Sequence, residues 1–227
     1  MSEHRTPVLV TVAHGTRDRA GVAEIERLAE LVQLARPDVE VRLGWLELAS
    51  PLLAELLPAI TGPVVVAPLL LSTGYHVKID IASVVGGRPD TAVARQLGPD
   101  PRITGVVWER LREAGGVPAA GAVLLASGSS DPEAAENLAV AADQLAEQAG
   151  CPVYPRFLTD PRWRDGLPPG VTVASYLLAP GYFSDRLAGL GRTELGLDRV
   201  TRPIGAHPAV AEVVWDRYDE AVRTLWP

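Results

Sequence analysis

The sequence predicts an α/β protein built from two copies of one fold, each with a parallel sheet flanked by helices. One observation is that short apolar runs typical of strands alternate with segments of helical periodicity along the chain. The other is an internal repeat. The segment 67–76 returns as 174–183 if one gap is allowed, and the segment 97–110 then aligns with 204–217. Strands that alternate with helices form parallel sheets covered by helices on both faces.

In the first half, the run at 7–13 is rich in β-branched residues and predicts a buried strand. Apolar residues at helical spacing follow from Ile25 onward, and Pro37 ends this helix. The remaining predicted elements are strands at 39–46 and 63–70, a helix at 51–60 and a helix at 101–114. The strand at 63–70 does not alternate, so we expect both of its faces to be buried. Ser50 is the expected N-cap of the helix at 51–60.

The second half repeats this order after a glycine-containing linker at 115–121. We therefore expect two domains, 1–116 and 117–227. The predicted elements of the second half are strands at 121–127, 152–158 and 171–179, and helices at 132–149 and 208–225.

Composition restricts the class of protein. The chain has 227 residues, of which 47% are hydrophobic, so it has enough apolar side chains for a packed core. Its longest apolar run, 64–71, is much shorter than the ~20 residues of a membrane span. The net charge of −7 argues against a nucleic-acid binder. The only cysteine, Cys151, fits a reducing compartment, and Met1 to Arg5 do not resemble a signal peptide. We expect a cytoplasmic monomer that binds neither nucleic acid nor membrane.

Three side chains with chemical potential follow three predicted strands. His14 follows the first strand, Glu47 the second, and His76 lies just beyond the third. Ligands of parallel sheets bind beyond the carboxyl ends of the strands, so these residues are expected at one rim. Two imidazoles and a carboxylate suit a divalent ion such as Fe, Co, Ni or Zn. They also suit proton abstraction near neutral pH.

The second half lacks all three of these side chains. The aligned residues are Ser127, Thr159 and Phe183. A purely architectural role would be needed in both halves, so the joint loss favours a functional role in the first. Each residue taken alone has an ordinary alternative: a histidine can anchor a loop, and Glu47 can cap a helix or pair with an arginine.

Three segments of the first half, 14–18, 45–51 and 68–80, resemble the three signatures of the sirohydrochlorin chelatases. These class II chelatases insert Co²⁺ or Fe²⁺ into a modified tetrapyrrole. The second half resembles the degenerate repeat of the family's long bacterial form. The resemblance implies two chelatase-like lobes around a cleft, the first catalytic and the second without site residues. It also implies that His14 and His76 are catalytic and bind the metal, with Glu47 as the third metal-site residue.

The same resemblance implies a lyase acting on a tetrapyrrole, with Fe²⁺ inserted for sirohaem or Co²⁺ for cobalamin. Ni²⁺ or Zn²⁺ could replace them in vitro, and no cofactor is expected beyond the substrate metal. The chain has no Gly-x-x-x-x-Gly-Lys-Ser/Thr loop, so no ATP is implied. The macrocycle carries carboxylates, which positive charges and turn amides can bind. The expected substrate-binding residues are Arg17, Arg19, Ser72, Thr73, Gly74, Tyr75 and Lys78. The alternative for the charged ones is a solvated surface position.

Two alternatives come from other classes of protein. A phosphoryl-transfer enzyme could use His14 as its nucleophile, but the histidine phosphatases need an arginine immediately before it, and this chain has Ala13. A metal or tetrapyrrole carrier that has no catalytic activity could keep the same fold and the same ligands. Turnover above one equivalent would distinguish the enzyme from the carrier.

Overall fold

The computed structural model describes residues 5–72, 75–116, 120–193 and 199–225, and in these it leaves out the side chains of 75–78 and 190–193. The chain forms two compact units. Unit 1 contains Met1–Leu97 and Ala206–Pro227, and unit 2 contains Gly98–Gly205. The predicted α/β class is confirmed, because each unit has a parallel sheet flanked by helices.

Unit 1 has a four-stranded sheet in the order β2-β1-β3-β4. Its strands are β1 (Val8–Ala13), β2 (Val41–Trp45), β3 (Val64–Pro68) and β4 (Thr91–Val93). Its helices are α1 (Arg19–Ala35), α2 (Leu53–Leu56), α3 (Tyr75–Val85) and α7 (Pro208–Leu225), and a 3₁₀ turn covers Leu57–Ala59. Every residue of β3 is buried, as its unbroken apolar run predicts. The two central strands, β1 and β3, therefore form the middle of the core.

Unit 2 has a three-stranded sheet in the order β6-β5-β7. Its strands are β5 (Ala122–Ala126), β6 (Val153–Phe157) and β7 (Thr172–Ser175), and its helices are α4 (Pro101–Glu113), α5 (Pro132–Ala149) and α6 (Tyr182–Thr193). The central strand β5 is almost completely buried, whereas β6 at the edge is half-buried throughout.

The first helix of each repeat begins in the same way. Asp18 accepts a hydrogen bond from the Ala20 amide at 2.9 Å and caps α1, and Asp131 accepts one from the Glu133 amide at 3.0 Å and caps α5. Such caps satisfy amides that the helix itself leaves unpaired. The duplicated sequence therefore folds into duplicated local structure.

The last helices of the two repeats are exchanged between the units. Helix α4 follows the first repeat in sequence but belongs to unit 2, where it contacts α5 and β7. Helix α7 ends the second repeat but belongs to unit 1, where it contacts α1, β3 and β4. The expected division into 1–116 and 117–227 follows the sequence repeat, whereas the compact units change at Leu97–Gly98 and again at Gly205–Ala206.

Two buried arginines at equivalent positions stabilise this exchange. In unit 2, Arg110 of α4 donates from Nε and Nη2 to the Ile204 carbonyl at 3.1 and 2.8 Å. In unit 1, Arg217 of α7 donates to the carbonyls of Gln96 and Leu97 at 3.1 and 3.2 Å. Each guanidinium is thus bonded within two residues of the point where the chain leaves its unit.

Several local expectations differ from the structure. Ser50 is not the N-cap of a helix at 51–60, because α2 begins only at Leu53 and the Glu55 carboxylate accepts the Leu52 amide at 3.0 Å. The helices α3 and α6 and the short strand β4 were not expected from the sequence. The segment that forms α3 is apolar without a clear helical stripe, so its periodicity does not indicate a helix. In the described part of the chain, none of the helices combines the length and apolar character that crossing a bilayer requires.

Candidate functional site

His14 and Glu47 lie side by side at the carboxyl edge of the unit 1 sheet. Ala13, the last residue of β1, pairs in register with Trp45, the last residue of β2. The hydrogen bonding continues past both strands, with the Leu46 amide donating to the Ala13 carbonyl at 2.9 Å and the Glu47 amide to the His14 carbonyl at 3.0 Å. The parallel pairing of β1 and β2, together with the Glu47–His14 backbone bond beyond it, thus brings the two side chains next to each other.

The His14 Nε2 atom lies 3.2 Å from Glu47 Oε1, and both side chains are open to solvent, with 58% and 54% of their surfaces exposed. An exposed pair of this kind contributes about 0–1 kcal/mol to folding, so stability alone gives little reason for it. Its exposure instead leaves an imidazole and a carboxylate accessible to a ligand. The pair can hold a cation jointly, and either member can accept a proton.

The backbone around the pair is unusually close. Gly15 has a φ of +115°, and a Cβ atom at this position would lie 1.8 Å from the Glu47 carbonyl oxygen. Only glycine permits this approach. On the other side of Glu47, Leu48 has a φ of +63°, and the Ala49 amide donates to the same Glu47 carbonyl at 2.8 Å. The loops after β1 and β2 are therefore in direct backbone contact.

The second repeat keeps much of this backbone without the ionisable side chains. The Thr159 amide donates to the Ser127 carbonyl at 3.1 Å, as the Glu47 amide does to His14. Gly128 has a φ of +144°, and a Cβ atom there would lie 2.0 Å from Thr159 Oγ1. Phe183, the counterpart of His76, packs against the apolar core of unit 2. The fold is thus repeated, while the His–Glu pair occurs in one copy.

The other predicted site residues are placed less completely. Arg17 and Arg19 are exposed, and Arg19 begins α1 directly after the His14 loop. Ser72 is half-buried in the segment after β3. Thr73 and Gly74 lie outside the described residues, as do the side chains of Tyr75, His76 and Lys78 in the first turn of α3.

Because β3 is the direct neighbour of β1, the chain leaves β3 beside the end of β1, which His14 follows. Among the side chains that the structure describes, no group of three histidine, cysteine, aspartate or glutamate residues could hold a metal ion. Of the three predicted metal-site residues, the structure describes the side chains of His14 and Glu47, and the side chain of His76 lies outside the described part.

Two residues of this site were not expected from the sequence. Gly15 directly follows His14, and a glycine at that position is a recognisable indication of a tight backbone approach. Leu48 carries no such indication, because leucine is rare at positive φ and nothing in the sequence marks it.

The fold and the pair define a class of protein: a duplicated α/β protein with a solvent-accessible His–Glu site in one repeat. Comparison with protein families gives a match to CbiX over residues 8–114 and again over 121–221. The chain therefore belongs to the CbiX family, and both repeats carry the family pattern.

Individual relatives agree with this assignment. A sirohydrochlorin cobaltochelatase of Methanopyrus kandleri is 29% identical over 136 residues, a match that covers 47% of this chain and 95% of that protein. Among solved structures, SirB from Bacillus subtilis with Fe³⁺ is 24% identical to this chain, with a TM-score of 0.78. The match covers 96% of this chain and 97% of the SirB chain. The cobalt complex of the sirohydrochlorin chelatase SirB from Bacillus subtilis subspecies spizizenii is 22% identical with a TM-score of 0.81, and 96% of each chain is covered. These structures share the fold over both units.

Proposed function

We propose that this protein is a sirohydrochlorin chelatase that inserts Co²⁺ or Fe²⁺ into the macrocycle without ATP. Membership of the CbiX family supports this proposal. The match to the Methanopyrus kandleri protein, a sirohydrochlorin cobaltochelatase, supports it as well. Iron would serve sirohaem synthesis and cobalt would serve cobalamin synthesis, and the donor set fits either ion.

The observation that carries the proposal is the restriction of the His14–Glu47 pair to one of two repeats that share the backbone bond between these loops. The duplicated fold serves as an internal comparison. The backbone bonds between the loops are present in both repeats, so they belong to the architecture. The imidazole and the carboxylate are present in one repeat, so the architecture does not need them.

Metal insertion requires the chemistry that these groups offer. Sirohydrochlorin exchanges two pyrrole protons for one divalent ion, so each turnover releases two protons for bases to accept. In the proposal, His14 and His76 bind the ion, an imidazole can take up a proton once the ion has left it, and Glu47 offsets part of the ion's charge as the third metal-site residue. Two or three donors with open positions let the macrocycle remove the ion, which a closed tetrahedral site would resist.

Positive side chains near the pair would bind the carboxylates of the macrocycle. Arg17 and Arg19 are exposed on the loop and helix that follow His14. Lys78, the only lysine of the chain, follows His76 by two residues. Ser72, Thr73, Gly74 and Tyr75 precede that histidine, and in the proposal they complete the substrate site. Charge-assisted bonds of this kind suit an anionic substrate even though the chain is acidic overall.

The test follows sirohydrochlorin absorbance anaerobically with Co²⁺ or Fe²⁺ and without nucleotide. We expect many turnovers per chain, at a rate well above that of the metal alone. His14→Ala should remove most of the activity and Glu47→Gln should leave a reduced rate. A tenfold loss corresponds to about 1.4 kcal/mol of barrier.

The second repeat supplies matched controls. Ser127→Ala and Thr159→Ala change the equivalent positions and should leave the rate unchanged. Arg17→Ala should raise KM more than it lowers kcat, because a surface charge contributes mainly to substrate binding. Rates equal to that of the metal alone would contradict the chelatase proposal, and binding of one equivalent without turnover would indicate a carrier.

A further inference from the structure

Leu48 has a backbone conformation that leucine normally avoids. Its φ of +63° is the only positive φ at a non-glycine position among the residues that the structure describes. The left-handed region costs an L-residue with a Cβ atom roughly 1–2 kcal/mol. Leu48 is 48% exposed, so burial of the residue offsets little of this cost. The surrounding backbone must therefore hold the residue in place.

The contacts of Glu47 show what this conformation achieves. The Glu47 amide donates to the His14 carbonyl at 3.0 Å, which ties the start of the residue to the first loop. Its carbonyl accepts a hydrogen bond from the Ala49 amide at 2.8 Å, which closes a three-residue turn with Leu48 at its centre. The same carbonyl is in close contact with the Cα atom of Gly15. Glu47 is thus fixed on both sides of its own Cα atom.

The second repeat lacks this strained turn. Asp160 follows Thr159 as Leu48 follows Glu47, and its φ is not positive. Its amide instead donates to the Phe157 carbonyl at 3.1 Å, which forms an ordinary turn. The bond between Thr159 and Ser127 and the glycine at 128 are nevertheless kept. A positive φ after the second strand is therefore not required by the fold, and it accompanies the His–Glu pair.

We propose that Leu48 is a positioning residue: its left-handed backbone holds the Glu47 carboxylate against the His14 imidazole. This proposal rests on the function proposed above, because it assigns Leu48 to the same metal site. The backbone of Leu48 carries the effect, and its side chain does not. Residues that tolerate a positive φ should therefore preserve the site, and residues that resist it should weaken the site.

Two substitutions separate the backbone from the side chain. Leu48→Ile keeps the volume and the apolar surface, but a β-branched residue strongly resists positive φ. Leu48→Asn removes the apolar surface, but asparagine adopts this conformation readily. The measurement is Co²⁺ affinity of the purified full chain, by calorimetric titration of the metal alone, together with kcat and KM for sirohydrochlorin.

We expect Leu48→Ile to weaken Co²⁺ binding about fivefold and to lower kcat about fivefold. Only molecules in which Glu47 is correctly placed bind the ion, and the substitution reduces their fraction. Leu48→Asn should stay within about twofold of the wild type by the same reasoning. In a Glu47→Gln background the difference between the two variants should disappear, because the carboxylate that they position is gone. A residue with only a structural role would not give this coupling.

The reverse order, with Ile normal and Asn impaired, would overturn the proposal and show that the Leu48 side chain contacts the ligand. Equal Co²⁺ affinity in both variants would overturn it as well. Hydrogen exchange of the Ala49 amide checks the structural step, since Leu48→Ile should speed it. Absence of turnover in the wild type would contradict the chelatase proposal alone, because Co²⁺ affinity is measured without the macrocycle.

Discussion

Gly15→Ala is a severe test of the close approach between the two loops of the site. The added Cβ atom would lie 1.8 Å from the Glu47 carbonyl oxygen and 2.7 Å from its carbon. Non-bonded carbon and oxygen atoms do not approach to these distances, so the backbone must shift by on the order of 1 Å. The carbonyl cannot rotate away at low cost, because it accepts the Ala49 amide at 2.8 Å.

The expected magnitude has two parts. Alanine at a φ of +115° costs about 1–3 kcal/mol in backbone strain. Forced separation of the loops adds to this, and we expect a total near 3 kcal/mol or more. At about 2–4 °C per kcal/mol for a chain of this length, the melting temperature of the protein should fall by roughly 6–12 °C. A displacement of about 1 Å between His14 and Glu47 should also lower turnover by up to ~100-fold.

Gly128→Ala is the matched control in the second repeat. Its Cβ atom would lie 2.0 Å from Thr159 Oγ1, and its φ of +144° is also unfavourable for alanine. This variant should lose stability but keep Co²⁺ affinity, because no His–Glu pair is displaced. Calorimetric melting and Co²⁺ titration of both variants measure the two effects. The reasoning is refuted if Gly15→Ala melts within 2 °C of the wild type (roughly 1 kcal/mol or less) and binds Co²⁺ equally well.

Two further predictions concern buried polar groups. Arg217→Met should lower the free energy of unfolding by about 2–4 kcal/mol, measured by urea denaturation, because the carbonyls of Gln96 and Leu97 lose charged donors. A loss below about 0.5 kcal/mol would contradict a stabilising role for these bonds. The Tyr176 hydroxyl is buried and has no hydrogen-bond partner among the described residues, so Tyr176→Phe should be neutral or stabilising by up to about 1 kcal/mol. Burial raises the pKa of Tyr176, and nearby Asp100 raises it further, so the native state keeps the proton. Stability should therefore fall above about pH 10, where the unfolded tyrosine ionises, and Tyr176→Phe should reduce that fall. Equal alkaline profiles would contradict this assignment.

The proximity of His14 and Glu47 can be reasoned from the sequence because it depends on local rules. Both residues follow apolar strands, and the carboxyl ends of neighbouring parallel strands meet at one edge of the sheet. The contact at 3.2 Å is the outcome of that arrangement. The contribution of Leu48 could not be anticipated, because its φ is imposed by hydrogen bonds from residues on either side rather than by its own preference.

The exchange of α4 and α7 could not be predicted for a different reason. The apolar stripe of a helix shows that it covers a sheet, but not which sheet. Here the two candidate helices are nearly equivalent in sequence. The segment 106–110 of α4 aligns with the segment 213–217 of α7, and the last residue of each segment is a buried arginine. Either helix fits either sheet by pattern alone, so the choice depends on the chain paths at Gly98 and Gly205, which periodicity does not report.

The duplication separates what the fold requires from what the site requires. Features found in both repeats, such as the helix caps Asp18 and Asp131, follow from the architecture. Features found in only one repeat are not required by the fold, so they have to be explained by a function of that repeat. His14 and Glu47 meet this criterion through their side chains, and Leu48 meets it through its backbone. A strained leucine beside an accessible His–Glu pair, absent where the pair is absent, is most simply understood as part of the same site.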